Sequence, residues 1–182
     1  KDPDYATWIN PFKDVKEGDW FYEGVKFAAQ HELFNGTSAT TFSPNEGCTR
    51  AQVVTFLYRA AGEPSVSSPA GFADVRPGTY YYKAVQWAVA NGITKGTSAA
   101  TFSPDDTCTR GQIVTFLYRA AGSPAVSGSN PFIDVPPAAF YRDAVQWASS
   151  NGITTGTSPY TFTPNATCTR AEVVTFLYRA QK

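Results

Sequence analysis

The sequence predicts a mainly helical molecule in which three copies of one unit share a single core. The chain has 182 residues and repeats the same motifs every 60 residues, as at Phe12, Phe72 and Phe132. Each copy contains two segments whose apolar residues recur with helical periodicity. Because a unit of about 60 residues is only marginally stable alone, the three copies are expected to pack together.

The three copies align with one another without a gap. Its recurring motifs are FxDV, GTSxxTFxP and CTRxxxVTFLYRA. Between the copies lie GEPSVSSPAG and GSPAVSGSNP, whose serine, proline and glycine content is typical of linkers. We therefore predict repeats at 1–61, with a lead-in at 1–11, at 62–121 and at 122–182, which together form one structural module.

The first helix of each copy is predicted from the apolar face that begins near Trp20 and ends near Gln30 in copy one. Copies two and three place Asn-Gly directly after it, which commonly ends a helix in left-handed geometry. Copy one has His31 and Glu32 there, so its turn is expected to differ in shape. The GTSxxTFxP segment predicts a turn followed by a short extended piece, because glycine permits positive φ and proline favours an extended predecessor.

The second helix of each copy begins with a capping box. In copy one, Thr49 stands three residues before Gln52, the spacing at which the two residues cap the first turn reciprocally. Cys48 and Val53 flank this cap at the spacing of a hydrophobic staple. The sequence therefore predicts a well-defined start for all three second helices.

The second helix is apolar around most of its circumference. When residues are placed about 100° apart, Gln52, Thr55 and Arg59 form one narrow polar stripe in copy one. An apolar surface this wide implies contacts on several sides. We predict that the three second helices pack together at the centre of the molecule.

An arginine lies in the middle of this apolar surface, at the first helical position. It is Arg50, Arg110 or Arg170 in the three copies. A buried guanidinium needs a negative partner, and the backbone N–H groups at a helix start also favour an anion. Two interpretations remain open at this point: a site for a carboxylate or phosphate ligand, or an internal salt bridge to the equally repeated aspartate of FxDV.

Composition excludes several classes of partner. Fifteen basic residues balance fifteen acidic ones, so the chain lacks the net positive charge on which nucleic-acid and anionic-membrane binders rely. No apolar run approaches the roughly 18 residues needed to cross a bilayer. We expect no nucleic-acid partner and no membrane insertion.

No group of residues predicts catalysis, a cofactor or a metal site. The three cysteines occupy one repeat position, and CTR lacks the paired spacing of zinc ligands, so buried thiols are favoured over a disulfide or metal role. His31 is the only histidine, and no carboxylate pair or nucleophile and base stand out from the repeat. A glycan-processing enzyme is therefore the weaker alternative, and we expect no enzyme.

In combination, these motifs resemble the S-layer homology (SLH) domain family. The resemblance rests on three copies of FxDV, an aromatic pair near Trp20, the GTSxxTFxP turn and the TRAQ, TRGQ and TRAE segments, and it covers nearly the whole chain. It implies a pseudo-threefold, three-pronged spindle with a central three-helix bundle and short extended or turn segments.

The resemblance also implies a function on the outside of a Gram-positive-type bacterium. Members of the family hold surface proteins non-covalently on the cell wall by binding secondary cell-wall polysaccharide, often through a pyruvate-ketal sugar, in grooves between repeats. A pyruvate ketal carries a carboxylate, which suits the anion site inferred for the arginines. The chain is accordingly expected to be a monomeric module of a longer surface protein.

The resemblance further implies which residues bind the ligand. The arginine of TRAE faces the groove in the family pattern, and the FxDV aspartate, the aromatic that follows it and the Gly-Thr-Ser turn are expected on the other wall. The expected ligand-binding residues are Arg50, Arg110, Arg170, Asp14, Asp74, Asp134, Trp20, Tyr80, Phe140, Gly36, Gly96, Gly156, Thr37, Thr97, Thr157, Ser38, Ser98 and Ser158.

The copies depart from the family pattern at two positions. The aromatic varies as Trp20, Tyr80 and Phe140, so sugar stacking should differ between grooves. The usual glutamate is replaced by Gln52 and Gln112 in two copies, which should preserve capping. The alternative function is a helical-repeat scaffold that binds another protein and uses the arginines in structural salt bridges.

Overall fold

The computed structural model describes residues 7–182, so the first six residues of the predicted lead-in lie outside the described part. Each repeat contributes a shorter and then a longer helix. The helices are α1 (Tyr22–Gln30), α2 (Arg50–Ala60), α3 (Tyr82–Ala90), α4 (Arg110–Ala120), α5 (Arg142–Ser150) and α6 (Arg170–Ala180). Residues 7–182 form no β-strand beyond three isolated antiparallel bridges. The predicted mainly helical fold class is confirmed.

The main helix contacts join different repeats. Helix α3 packs against α2 of the preceding repeat, and α5 packs against α4 in the same way. Helix α1 packs against α6, so the first repeat is joined to the last and the arrangement closes into a ring. Helix α4 also contacts α2 and α6, which places the long helices at the centre. This confirms the pseudo-threefold arrangement, with three helix pairs as its prongs.

A cycle of backbone hydrogen bonds lies where the three repeats meet. The N–H of Cys48 donates to the carbonyl of Cys168 at 3.0 Å, that of Cys168 to Cys108 at 2.8 Å, and that of Cys108 to Cys48 at 2.8 Å. All three side chains are fully buried free thiols, as predicted. We call this feature the cysteine ring.

The capping boxes form in all three second helices. The hydroxyl of Thr49 accepts from the Gln52 N–H at 3.2 Å, and Oε1 of Gln52 accepts from the Thr49 N–H at 2.9 Å. Equivalent pairs cap α4 and α6. The predicted helix starts are therefore confirmed at the level of single hydrogen bonds.

The turn of the following repeat covers each of these helix starts. The N–H of Arg50 donates to the carbonyl of Asp106 at 2.9 Å, and that of Ala51 to Pro104 at 3.0 Å. Helices α4 and α6 make the same pair of bonds to the next repeat around the ring. The expectation that these N–H groups favour a ligand anion is wrong, because carbonyl groups of the fold already accept from them.

The first helix starts later than expected and ends as predicted. Helix α1 begins at Tyr22 rather than near Trp20 and has no side-chain cap. The predicted left-handed stop is present at Gly92, with φ of 67°. Glu32 reaches the same region with φ of 54°, so the His31-Glu32 difference leaves the helix end similar.

The turn of repeat 1 does differ, but a few residues later. Gly96 and Gly156 have φ of 80° and 81°, whereas Gly36 is not in the left-handed region. The hydroxyls of Thr94 and Thr154 accept from these two glycine N–H groups at 3.1 Å. Repeat 1 has a phenylalanine in place of the threonine and cannot make that bond.

No helix within residues 7–182 combines the length and the apolar character that a membrane crossing requires.

Candidate ligand-binding grooves

Two open grooves lie between the repeats, each with a volume of about 340 Å³. The main side chains of groove A are Arg50, Thr94, Lys95, Gln112, Arg119 and Phe140. Those of groove B are Arg110, Thr154, Thr155, Glu172, Arg179 and Trp20. The two sets occupy equivalent positions one repeat apart.

Each groove combines residues from all three repeats. In groove A, Arg50 belongs to the first repeat, the turn at Gly96 to the second and Phe140 to the third. The sequence predicted grooves between adjacent repeats but not this contribution from the third. A single groove therefore requires the closed ring of repeats.

The repeated arginine forms the floor of the groove and is almost completely buried. Arg50 is 3% exposed, its Nε donates to the Phe102 carbonyl at 2.9 Å, and its guanidinium carbon lies 4.7 Å from the centre of the Phe102 ring. The other two arginines repeat both contacts with the next repeat. Burial lowers the pKa of Arg50 and Arg170 because it removes water from the charged form.

The aspartates of FxDV lie behind the groove rather than on its lining. The carboxylate of Asp74 accepts from the Phe102 and Ser103 N–H groups at 2.8 and 2.7 Å, and Asp14 and Asp134 do the same in their repeats. No ion pair within residues 7–182 joins them to the repeated arginines. The interpretation of an internal salt bridge to this aspartate is therefore wrong. The aspartate instead fixes the segment whose carbonyl accepts from the arginine.

The variable aromatic is exposed in every repeat. Trp20, Tyr80 and Phe140 are 61%, 63% and 64% exposed, and Phe140 and Trp20 stand on the lining of grooves A and B. Each makes an edge contact with the aromatic that follows it, which fixes the ring orientation. An exposed, oriented aromatic at a groove is suited to stacking on a sugar.

The Gly-Thr-Ser turn contributes two of its three residues to the groove. Gly96 and Thr97 line groove A. A Cβ atom on Gly96 would lie 2.5 Å from the carbonyl oxygen of Thr101, so this close turn requires glycine. Ser98 accepts from the Thr101 N–H at 3.1 Å and stabilises the turn from within. In groove B the corresponding residues are Gly156, Thr157 and Ser158.

The third equivalent position, which we call site C, consists of Arg170, Phe34 and Asn35 and is filled. Phe34 is 2% exposed, and its ring lies 4.3 Å from the Arg170 guanidinium carbon and 3.8 Å from the Phe56 ring. The Asn35 carbonyl accepts from Nη2 of Arg170 at 2.6 Å. The predicted site residues Gly36, Thr37 and Ser38 belong to this repeat. Phe34 thus occupies the space that a threonine leaves open in grooves A and B.

Sequence reasoning did not assign a ligand role to the polar stripe of the second helix. In groove A that stripe supplies Gln112, Thr115 and Arg119 to the lining, and Arg119 is held by its bond to the Ile93 carbonyl at 3.1 Å. Lys95 was also missed. The sequence did contain a signal for this role, because the same narrow polar stripe recurs on the otherwise apolar second helix of every copy.

Within residues 7–182, no cluster of three or more His, Cys, Asp or Glu side chains is arranged to hold a metal ion.

Comparison with known proteins decides the family. The family model of the S-layer homology domain matches residues 11–54, 71–114 and 131–174. The chain belongs to the S-layer homology domain family. Each matched SLH segment includes the FxDV aspartate, the Gly-Thr-Ser turn and the arginine at the start of the second helix.

Similar proteins are much longer than this chain. An endoglucanase of Bacillus sp. (strain KSM-635) is 37% identical over 110 residues, which are 60% of this chain and 12% of that protein. A surface-layer 125 kDa protein of Lysinibacillus sphaericus is 36% identical over 91 residues, 48% of this chain and 8% of that protein. A cellulosome-anchoring protein of Acetivibrio thermocellus is 28% identical over 131 residues, 69% of this chain and 29% of that protein. The match covers less than a third of each relative.

Proposed function

We propose that this SLH chain holds a longer surface protein on the bacterial cell wall, outside the cell, by binding secondary cell-wall polysaccharide non-covalently in grooves A and B. The recognised group is the carboxylate of a pyruvate-ketal sugar. One observation carries the proposal: each open groove has a buried arginine on its floor and an exposed aromatic on its lining.

The groove floor is suited to a carboxylate. A guanidinium presents its donors in a planar fork that matches the two oxygens of a carboxylate. In groove A the Nε donor of Arg50 is used by the Phe102 carbonyl, which fixes the plane of the guanidinium. Its Nη2 atom is buried and has no hydrogen-bond partner within residues 7–182. Removal of water around the arginine strengthens an ion pair with an entering carboxylate.

The remaining lining is suited to a sugar. The aromatic offers an apolar face, and the threonine hydroxyls and the amide of Gln112 offer hydrogen-bond partners for sugar hydroxyls. A volume of about 340 Å³ lies at the low end of the range of small-molecule sites. Each groove therefore accommodates a short stretch of glycan rather than a folded partner.

The relatives support an anchoring role. Two of the matched proteins are named for a surface layer and for anchoring a cellulosome. The endoglucanase shares only 12% of its length with this chain, so its enzymatic name does not extend to the matched segment. We accordingly assign this chain to attachment and not to catalysis.

Binding to purified cell-wall polysaccharide tests the proposal, with the polymer used before and after chemical removal of its pyruvate. We expect tight binding to the first preparation and a loss of about tenfold or more on the second, because the charge-assisted hydrogen bonds are removed. Absence of binding to both would exclude wall anchoring through this polymer. Equal affinity for both would exclude the carboxylate as the recognised group.

A double variant and a control variant test whether the buried arginines form the binding site. Substituting Arg50→Gln and Arg110→Gln together is expected to abolish the preference for the pyruvylated polymer. The matched control is Arg142→Gln, since Arg142 is partly exposed, lies outside both grooves and forms an ion pair with the neighbouring Asp143. Circular dichroism of each variant separates loss of binding from loss of fold.

A further inference from the structure

An exposed tyrosine and an exposed isoleucine lie next to each other in repeat 3. Tyr160 is 68% exposed and Ile133 is 83% exposed. The N–H of Ile133 donates to the Tyr160 carbonyl at 2.9 Å, so the backbones of the two residues are held together. We call these two side chains the apolar patch.

The backbone of Tyr160 is fixed while its side chain stays accessible. Its N–H donates to the Ser158 hydroxyl at 3.2 Å, and its carbonyl accepts from Ile133. Within residues 7–182, its ring stacks on no other ring and its hydroxyl makes no hydrogen bond. The hydroxyl of Tyr118, by contrast, donates to the Pro124 carbonyl at 2.9 Å. The fold thus positions the Tyr160 ring without using it.

The apolar patch is specific to repeat 3, although its backbone is not. In the other two repeats the equivalent N–H groups of Ala73 and Lys13 donate to the carbonyls of Ala100 and Thr40, both at 2.9 Å. The same backbone hydrogen bond therefore carries small or polar side chains there. This makes the patch a difference in side chains alone.

The apolar patch lies at the edge of groove B. Thr157, which lines this groove, is three residues before Tyr160, and Phe162 is two residues after it. The Phe162 carbonyl accepts from Nε of the floor arginine Arg110 at 2.8 Å. Because a chain spans at most about 3.6 Å per residue, the Cα atom of Tyr160 lies within about 11 Å of that of Thr157 and about 7 Å of that of Phe162. The N–H of Thr157 also donates to the Thr161 carbonyl at 2.8 Å, which closes the turn.

The chemistry of the patch suits an uncharged sugar. Residues 154–163 contain no charged side chain, and the carboxylate of the nearby Asp134 already accepts from two backbone N–H groups. An aromatic ring and an aliphatic side chain offer apolar surface to the C–H groups of a sugar, and the tyrosine hydroxyl offers one hydrogen-bonding group.

The patch is too small to hold a protein partner. A stable protein interface buries about 800 Å² on each side, whereas an aromatic side chain buries at most about 250 Å². Two side chains are therefore matched to one sugar ring rather than to a second copy of the chain.

We propose that the apolar patch is an accessory sugar subsite of groove B, which binds an uncharged sugar adjacent to the one held in the groove. This inference rests on the proposed function and extends it to a second sugar. A polysaccharide is longer than a groove of about 340 Å³, so its next sugars must cross the groove edge. Groove A has Ala73 and Ala100 at these positions and offers no comparable surface.

Glycan fragments of two lengths test the inference on the whole chain. The short probe is a methyl glycoside of the pyruvate-ketal sugar, and the long probe is a trisaccharide in which two uncharged sugars follow that sugar. Two-dimensional amide NMR resolves the grooves, since Lys95 and Gln112 report on groove A and Thr155 and Glu172 on groove B. We expect groove B to bind the long probe about tenfold more tightly than the short one, and groove A to gain less than about twofold.

Three substitutions at exposed positions assign the gain to the patch. Tyr160→Ala is expected to remove the gain of groove B while leaving its affinity for the short probe unchanged, and Tyr160→Phe should keep most of the gain because the ring remains. Ala100→Tyr should give groove A a gain of its own. Thr40→Tyr, beside the filled site C, is the matched control and should leave the number of bound probes unchanged. Circular dichroism checks the fold of each variant.

The outcomes distinguish this inference from the proposed function. Equal gains in both grooves, a gain that persists in Tyr160→Ala, or an equal loss of both probes in Tyr160→Ala would overturn the inference while the short probe still binds the wild-type chain. Sedimentation that shows a dimer dissociated by Tyr160→Ala would overturn it as well, because the patch would then be a protein interface. Failure of the wild-type chain to bind wall polymer and both probes would instead overturn the proposed function.

Discussion

The cysteine ring and the grooves are built from the same three repeats, but only the ring is alike in all three. At the ring, each N–H donates to the next carbonyl at 2.8–3.0 Å, and the residue type is identical. Around the grooves, the equivalent residues are Phe34, Thr94 and Thr154, and one site is filled while two are open.

This difference arises because the cysteine ring links all three repeats in one cycle of hydrogen bonds, whereas each groove is a separate surface. A threefold cycle of backbone bonds forms only if every repeat presents the same geometry, so one altered repeat disturbs all three. A groove is a local surface, and a changed side chain affects that groove alone. Identical substitutions should therefore have equal effects near the axis and unequal effects at the grooves.

The largest expected inequality is at the position of Phe34. Phe34→Ala is expected to lower the free energy of unfolding by about 3–5 kcal/mol, because it empties a buried aromatic site. Thr94→Ala and Thr154→Ala should each lower it by about 1 kcal/mol, since each loses one hydrogen bond to a glycine N–H. Denaturant unfolding measures all three, and equal losses would contradict the filled state of site C.

A smaller effect is expected at the aspartate that fixes the turn. Asp14→Asn should lower the free energy of unfolding by about 1–2 kcal/mol at pH 7, because an amide cannot accept from both N–H groups as a carboxylate does. Burial acts to raise the pKa of Asp14, but the donors at Phe42 and Ser43, together with Arg170, outweigh it and lower the pKa overall.

Because the pKa of Asp14 is lowered in the folded state, the stability that this aspartate contributes depends on pH in a defined direction. A lowered folded pKa gives a contribution that is present above the unfolded pKa of about 3.9 and is lost as the pH falls through the folded value. The stability difference between wild type and Asp14→Asn should thus shrink only below about pH 4. A difference that already disappears between pH 5 and 7 would contradict the assignment.

The helix caps near the axis should respond equally. Thr49→Ala, Thr109→Ala and Thr169→Ala are each expected to lower the free energy of unfolding by about 1 kcal/mol, because the three capping boxes have the same hydrogen bonds. Thermal or denaturant unfolding provides the comparison. If the loss in one repeat is several times the loss in another, the three helix starts differ in energy although their hydrogen bonds are the same.

The smallest effect is expected when the native chain is treated with a reagent that labels cysteine thiols. Burial raises the pKa of Cys48 and Cys108 to about 12, so at pH 8 the thiolate is scarce and the sulfur is inaccessible. The native chain should not react with a disulfide reagent, whereas all three thiols should react after unfolding in guanidinium chloride. Rapid labelling of the native chain would show that the axis opens locally.

Much of the fold could be predicted because it depends on local signals. The threefold repeat, the capping box at Thr49 and the left-handed stop at Gly92 are all set by residues close together in the chain. The start of α1 could not be placed as well, because Phe21 provides no side-chain cap. The resemblance to the SLH family supplied the closed arrangement of the repeats.

The site was predicted only in part, because it depends on how distant segments meet. The buried arginine was visible as a charged residue on an apolar face. Which turn and which aromatic stand opposite Arg50 follows from the packing of each first helix on the preceding repeat, and sequence spacing does not contain that information. The sequence likewise shows that repeat 1 has Phe34 where the other repeats have threonine. Its position over Arg170, however, depends on the contact between the first and last repeats.

That contact also affects the order in which the chain can fold. Helix α1 is synthesised first, yet its packing partner α6 is the last helix of the ring. The first repeat thus remains without its main contact until the third has emerged, and contacts between residues so far apart slow folding. The grooves, which need all three repeats, therefore form only after the third repeat has emerged.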